Sequence, residues 1–157
     1  MRQEMNARGL SASASSLTGI RRVISALQSQ DVAYRVLEPQ SRDADAIADW
    51  IESRFPIVGM QIDWARVPSS RSVKWSDTGE LVDSFATLVS DLALNHTVRV
   101  TWGNALRPSI ELAQSDVVKI AVSVFGSSFD TWVACPQENW CIEDHHEGTL
   151  CSGYGCL

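Results

Sequence analysis

The hydrophobic period of this chain changes near residue 96, and that change fixes the fold class. Residues 76–96, "SDTGELVDSFATLVSDLALNH", repeat apolar side chains every three or four positions: Leu81, Phe85, Leu88, Val89 and Leu92. Such spacing forms one stripe of an α-helix. Ser76 or Asp77 supplies the N-cap and Glu80 follows in the first turn, while Asp83 and Asp91 fall off the stripe. Immediately afterwards, "TVRVTW" sets Val98, Val100 and Trp102 on alternate positions, the period of a half-buried strand.

Before the switch, helix and strand patterns are interleaved. Residues 17–28 place Leu17, Ile20, Val23, Ile24 and Leu27 on one helical face. "VAYRVL" alternates through Val32, Tyr34 and Val36 and predicts a strand. "SRDADAIADWIESRF" predicts a second helix, with aspartates at its positive end, Ile47, Trp50 and Ile51 on one side, and Pro56 as the stop. "IVGMQIDW" predicts a half-buried strand whose inward residues are Val58, Met60, Ile62 and Trp64, and "VPSSRS" a loop.

After the switch, strands dominate. "GNALRP" is a turn, "SIELA" a short strand with Glu111 outward, and the β-branched "DVVKIAVSVF" predicts a strand through Val118, Ile120, Val122 and Val124. Gly126 and the serines after it turn the chain into a meander of "DTWVAC", "NWCIED" and "TLCSGY", joined by "PQE" and "HHEG". The expected fold is α+β: N-terminal helices and strands, then a mostly antiparallel C-terminal β-sheet. Residues 1–16, polar and rich in Ser and Ala, read as a flexible tail, and residues 17–157 as a single domain.

Charge is distributed unevenly. Residues 1–78 carry ten Lys/Arg against nine Asp/Glu, whereas residues 79–157 carry three against ten. Each nucleic-acid phosphate needs a cation to meet it, so no nucleic acid is expected as a partner of the second half. No apolar run approaches the roughly 18 residues of a membrane span, and the opening residues lack the continuous apolar stretch of a secretory signal. The expected location is cytoplasmic, with the four cysteines reduced. A Cys135–Cys141 bridge across one hairpin is conceivable, and such a compartment disfavours it.

Chemistry concentrates in "WCIEDHHEGTLC", Trp140 to Cys151. Zinc needs four converging donors, usually from closely spaced Cys/His pairs. Cys135, Cys141, Cys151, His145 and His146 are the alternative metal set, but no CxxC is present. Strand alternation also separates His145 from His146 unless the turn begins there. A metal-dependent hydrolase or nuclease would draw on the same cluster and its carboxylates. The chain has only two lysines, Lys74 and Lys119, neither in a motif, and no glycine-rich phosphate loop or nucleophile elbow. No catalytic residue and no cofactor are assigned, and the chain reads as a binder, not an enzyme. Six tryptophans supply core, with one or two left over for an aromatic binding surface. In that reading Glu138, Glu143, Asp144 and Glu147 line two adjacent hairpin tips and meet a cationic partner, with Trp140 or Trp132 as anchor. The helix acids Asp83 and Asp91 form a rival surface, and a small-ligand-binding module with an aromatic pocket is a further alternative.

The stretch "DTWVACPQENWCIEDHHEG", in a small acidic α+β chain without catalytic motifs, resembles the immunity proteins that protect bacteria from contact-dependent growth-inhibition toxins. The resemblance implies a cofactor-free inhibitor that binds a cognate basic protein toxin, often a nuclease. Its acidic surface would cover the toxin's active site or substrate groove, the carboxylates imitating phosphates.

Overall fold

The computed structural model describes residues 20–91, 95–126 and 130–157. The expected tail at residues 1–16, together with Leu17, Leu92 and the serines at 127–128, lies outside the described residues. Among the described residues, helix α1 (Arg21–Ser29) and strand β1 (Tyr34–Leu37) come first, followed by α2 (Arg42–Arg54). A small hairpin, β2 (Ile57–Val58) and β3 (Gln61–Ile62), leads through a 3-10 turn at Trp64–Arg66 to β4 (Arg71–Lys74) and α3 (Thr78–Ser90). Strands β5 (Thr97–Trp102) and β6 (Ser109–Ala113) precede two short helices, α4 (Gln114–Lys119) and α5 (Ala121–Phe125). The chain ends in β7 (Thr131–Cys135), a 3-10 turn at Pro136–Glu138, β8 (Trp140–His145) and β9 (Thr149–Tyr154).

Both long-helix starts follow from their caps. Ser41 Oγ accepts the Ala44 N–H at 3.2 Å, and Asp77 Oδ1 accepts the Glu80 N–H at 2.9 Å. Glu80 in turn reaches back to the N–H and hydroxyl of Ser76, so both candidate residues serve the same helix end.

Seven strands form one antiparallel sheet in the order β1-β6-β5-β7-β8-β9-β4. The α+β expectation therefore holds. β1 and β4, from the first half of the chain, close its two edges. Alternation sends Val98, Val100, Val133 and Ile142 to one face, where they pack with α1, α3, α4 and α5. Ala134 and Cys141 go to the opposite face and pack with Ile47, Ile51 and Phe55 of α2 and its end, and with Ile62 and Val67. The sheet is thus covered on both sides. β8, an interior strand beside the central β7, is buried along five successive residues, Trp140 to Asp144.

Two segments differ from the sequence-based expectation. "DVVKIAVSVF" is helical: Val117, Ile120, Ala121 and Val124 are buried at spacing i, i+3, i+4, i+7, as is Phe125, while Val122 is 59% exposed. β-branching disfavours a helix by less than about 0.7 kcal/mol per residue, and burying these side chains against the sheet outweighs that. "IVGMQIDW" is not one strand but a hairpin, with Ile57 opposite Ile62 and Val58 opposite Gln61. Gly59, at φ 60°, supplies the positive angle that a two-residue turn requires. Met60 and Val58 consequently point outward, 82% and 58% exposed. The loop expected at "VPSSRS" is also shorter than that stretch, since Arg71 and Ser72 already belong to edge strand β4 and pair with Ser152 and Cys151.

Candidate functional site

The terminal hairpins do not display four carboxylates. Glu143 is 3% exposed on the α2 side of β8. Its Oε2 accepts the Ile62 N–H at 3.1 Å and the Trp132 indole N–H at 2.6 Å, and its Oε1 accepts the Trp64 indole N–H at 3.4 Å. Burial raises its pKa, against the pull of those three donors. Asp144, next in the chain, points to the other face, where it is 5% exposed and accepts the Trp75 indole N–H at 2.8 Å. Burial raises its carboxyl to about 6. Glu138 is mostly enclosed, with Oε1 3.1 Å from His96 Nε2. Only Glu147 of the four is open, its side chain 75% exposed. The reason is the two-sided cover of β8: antiparallel sheets often leave one face wet, and here α2 and the β2–β3 hairpin close that face.

Neither proposed anchor is a surface tryptophan. Trp140 is 2% exposed within the main core, and Trp132 is half-buried with its indole N–H committed to Glu143. The other four tryptophans are buried or half-buried as well. The helix acids Asp83 and Asp91 are exposed, as expected, and Asp91 pairs with Arg71.

The cysteines do not converge. Cys135 packs into the core on one face and Cys141 into the core on the other. Cys151 contacts the Ser72 hydroxyl, and Cys156 lies exposed near the C-terminal end. All four are free thiols, and burial raises the pKa of Cys135, Cys141 and Cys151. The two histidines of the alternative metal set do come together. His145 ends β8 and His146 begins the turn, so the alternation that would part them stops between them. Their rings lie 4.4 Å apart, beside Asp130.

A cleft of about 390 Å³ opens on the α2 side of the sheet. Its floor is Trp132 with Thr101 and Ser109, the indole held in place by the hydrogen bond from its N–H to Glu143. One wall is α2, which presents Asp45 and Glu52, and Ile57, Met60 and Gln61 of the small hairpin form the rim beside it. The β5–β6 turn closes the far side, where the Arg107 guanidinium stacks 4.5 Å above the Trp102 ring. Asp45, Asp49 and Glu52 are all exposed and follow the i, i+4, i+7 spacing of one helix stripe. The cleft thus couples an aromatic floor, an apolar rim and an acidic wall.

Sequence reasoning reached Trp132 but missed the rest of this cleft. The stripe of acids on α2 was legible, since it lies opposite Ile47 and Ile51. The outward Met60 was not, because Val-Gly-Met-Gln reads equally as alternation and as a tight turn. Among known protein families none matches this chain, and no curated protein matches it either.

Proposed function

We propose that this chain is an immunity-type inhibitor that binds a basic protein toxin, with the α2 cleft and not the terminal hairpins as its docking face. The observation that carries the reading is the exposed Met60 on the rim of a cleft whose wall presents the acids Asp45 and Glu52 of α2. An apolar tip loses little by being exposed alone, but it gains as a desolvated anchor once a partner covers it. Acids around such an anchor speed encounter with a cationic surface and reject anionic ones. The net charge of −6 adds a long-range field of the same sign. A cleft of this size accepts a long basic side chain or a short loop of the partner. Inhibition follows from coverage: a cationic groove that engages these carboxylates cannot engage phosphates at the same time.

The test pairs the purified chain with the protein encoded by the adjacent reading frame. Binding is measured by biolayer interferometry over a salt series, and protection by co-expression growth. Asp45→Lys, Glu52→Lys and Met60→Asp together should weaken binding by at least about tenfold and flatten the salt dependence of the on-rate. Glu147→Lys should leave both unchanged. Unchanged affinity in the triple variant defeats the cleft assignment, and absence of any binding or protection defeats the immunity reading.

A second reading, a small-ligand-binding module, draws on the Trp132 floor flanked by the Thr101 and Ser109 hydroxyls. A small molecule that copurifies with the chain, appears by mass spectrometry on denaturation, and is lost in Trp132→Ala favours it.

A further inference from the structure

We propose that Asp130, His145 and His146 form a binding site for a divalent transition metal of the zinc class, independent of the toxin-inhibitor reading. One donor atom from each of the three residues lies within 4.8 Å of the others. The backbone brings them there rigidly. Thr131 and Asp144 are register partners across antiparallel β7 and β8, so Asp130, before the one, and His145, after the other, fall opposite each other at the end of the ladder. Gly148, at φ 89°, closes the three-residue turn that holds His146 beside them.

Local bonds already orient the donors. Asp130 Oδ1 accepts the His146 backbone N–H at 2.8 Å and lies 2.8 Å from His146 Nδ1. The Gln61 side-chain amide contacts His145 Nε2. Nδ1 is the atom His145 offers in the tautomer protonated at Nε2, in exchange for a 3.3 Å contact from the Glu147 N–H. With its amide turned so that Oε1 faces the ring and accepts the His145 Nε2–H, Gln61 would act as an outer partner that fixes the ring, as such partners do for metal-bound imidazoles.

The donor set selects the ion. Two imidazoles and one carboxylate suit zinc, nickel or copper, whereas magnesium and calcium call for oxygen donors. Donors around a tetrahedral ion at roughly 2.0–2.1 Å stand about 3.4 Å apart, so Asp130 Oδ1 and His146 Nδ1, 2.8 Å apart here, must part slightly while wider separations in the group close. The His146 side chain, 55% exposed, has room to adjust once its Nδ1 contact with Asp130 gives way to the ion. A fourth position remains for water or for Glu147, whose carboxylate lies 3.8 Å from His145 Nδ1. Bound metal would clamp the β8–β9 turn to the start of β7. Through Gln61 it would also brace the small hairpin that rims the cleft.

Tag-free, chelator-treated full-length protein titrated with zinc chloride in a calorimeter should bind one ion per chain. The cobalt complex should show ligand-field bands and no thiolate-to-cobalt charge-transfer band. His146→Ala and Asp130→Asn should each weaken zinc binding by at least about tenfold, with the far-ultraviolet circular dichroism of the parent retained. Cys156→Ser should leave affinity unchanged. The proposal is overturned by the absence of saturable binding, by a thiolate band, or by indifference to both His146→Ala and Asp130→Asn. Because His146 is exposed, its alanine variant tests the site without a folding defect.

Discussion

The indole N–H of Trp132 points at Oε2 of Glu143 from directly across the β7–β8 ladder, 2.6 Å away. One carboxylate on an interior strand of the sheet thereby fixes the cleft floor and, through the Ile62 N–H, anchors the small hairpin as well. Glu143→Ala leaves those donors buried without an acceptor and should destabilise the fold by about 2–4 kcal/mol in urea unfolding. Glu143→Gln keeps one acceptor oxygen and should cost about 1–2 kcal/mol. If both changes prove neutral, the carboxylate does not hold this face together.

Asp144 is also raised by burial, but its carboxylate meets one indole donor where Glu143 meets three. Its pKa rises from an ordinary carboxyl value to about 6 because burial penalises the charge. The folded state therefore binds this proton more tightly than the unfolded chain does, and stability falls as pH rises from about 4 to about 6. The effect is worth up to about 3 kcal/mol. Asn in its place keeps an acceptor for the Trp75 N–H and removes the charge. Asp144→Asn should flatten the pH dependence of unfolding across that window and raise stability at pH 7, read from denaturation midpoints at each pH.

Thiol reactivity reports on the two-sided cover of the sheet. Cys135, Cys141 and Cys151 are enclosed, with thiols raised by burial, whereas Cys156 is exposed. Brief iodoacetamide treatment at pH 8 should add one label to the native protein, at Cys156, and four in denaturant. Mass spectrometry of the intact chain distinguishes these outcomes. Rapid native labelling of Cys141 would mean that α2 does not seal its face.

The helix α5 can be checked at Val122, whose side chain is exposed. Val122→Ala at an exposed helical position should stabilise the fold by a few tenths of a kcal/mol, roughly the propensity difference between the two residues. In a strand the same change should destabilise. The sign of the shift in urea midpoint decides between them.

The sequence by itself determined the elements whose period and punctuation agree. The α3 stripe with its Asp77 cap, the α2 helix with its early aspartates, and the alternating strands β5, β7, β8 and β9 were all readable, because each is specified by neighbours within a few residues. Alternation even assigned Cys141 and Glu143 to the face opposite Trp140 and Ile142. What local pattern does not contain is which face stays wet. That was decided by α2 and the β2–β3 hairpin folding over the sheet from about 80 residues away, as the Ile62–Glu143 bond records. The same long-range packing made helices of "DVVKIAVSVF", since burial against a distant sheet exceeds the small preference of β-branched residues for strands. It also converted an apparent acidic hairpin into an interior, and it brought Asp130 to two histidines 15 and 16 residues later through sheet register. Periodicity records what each residue does beside its neighbours, whereas burial and charge at a site depend on what arrives from elsewhere in the chain.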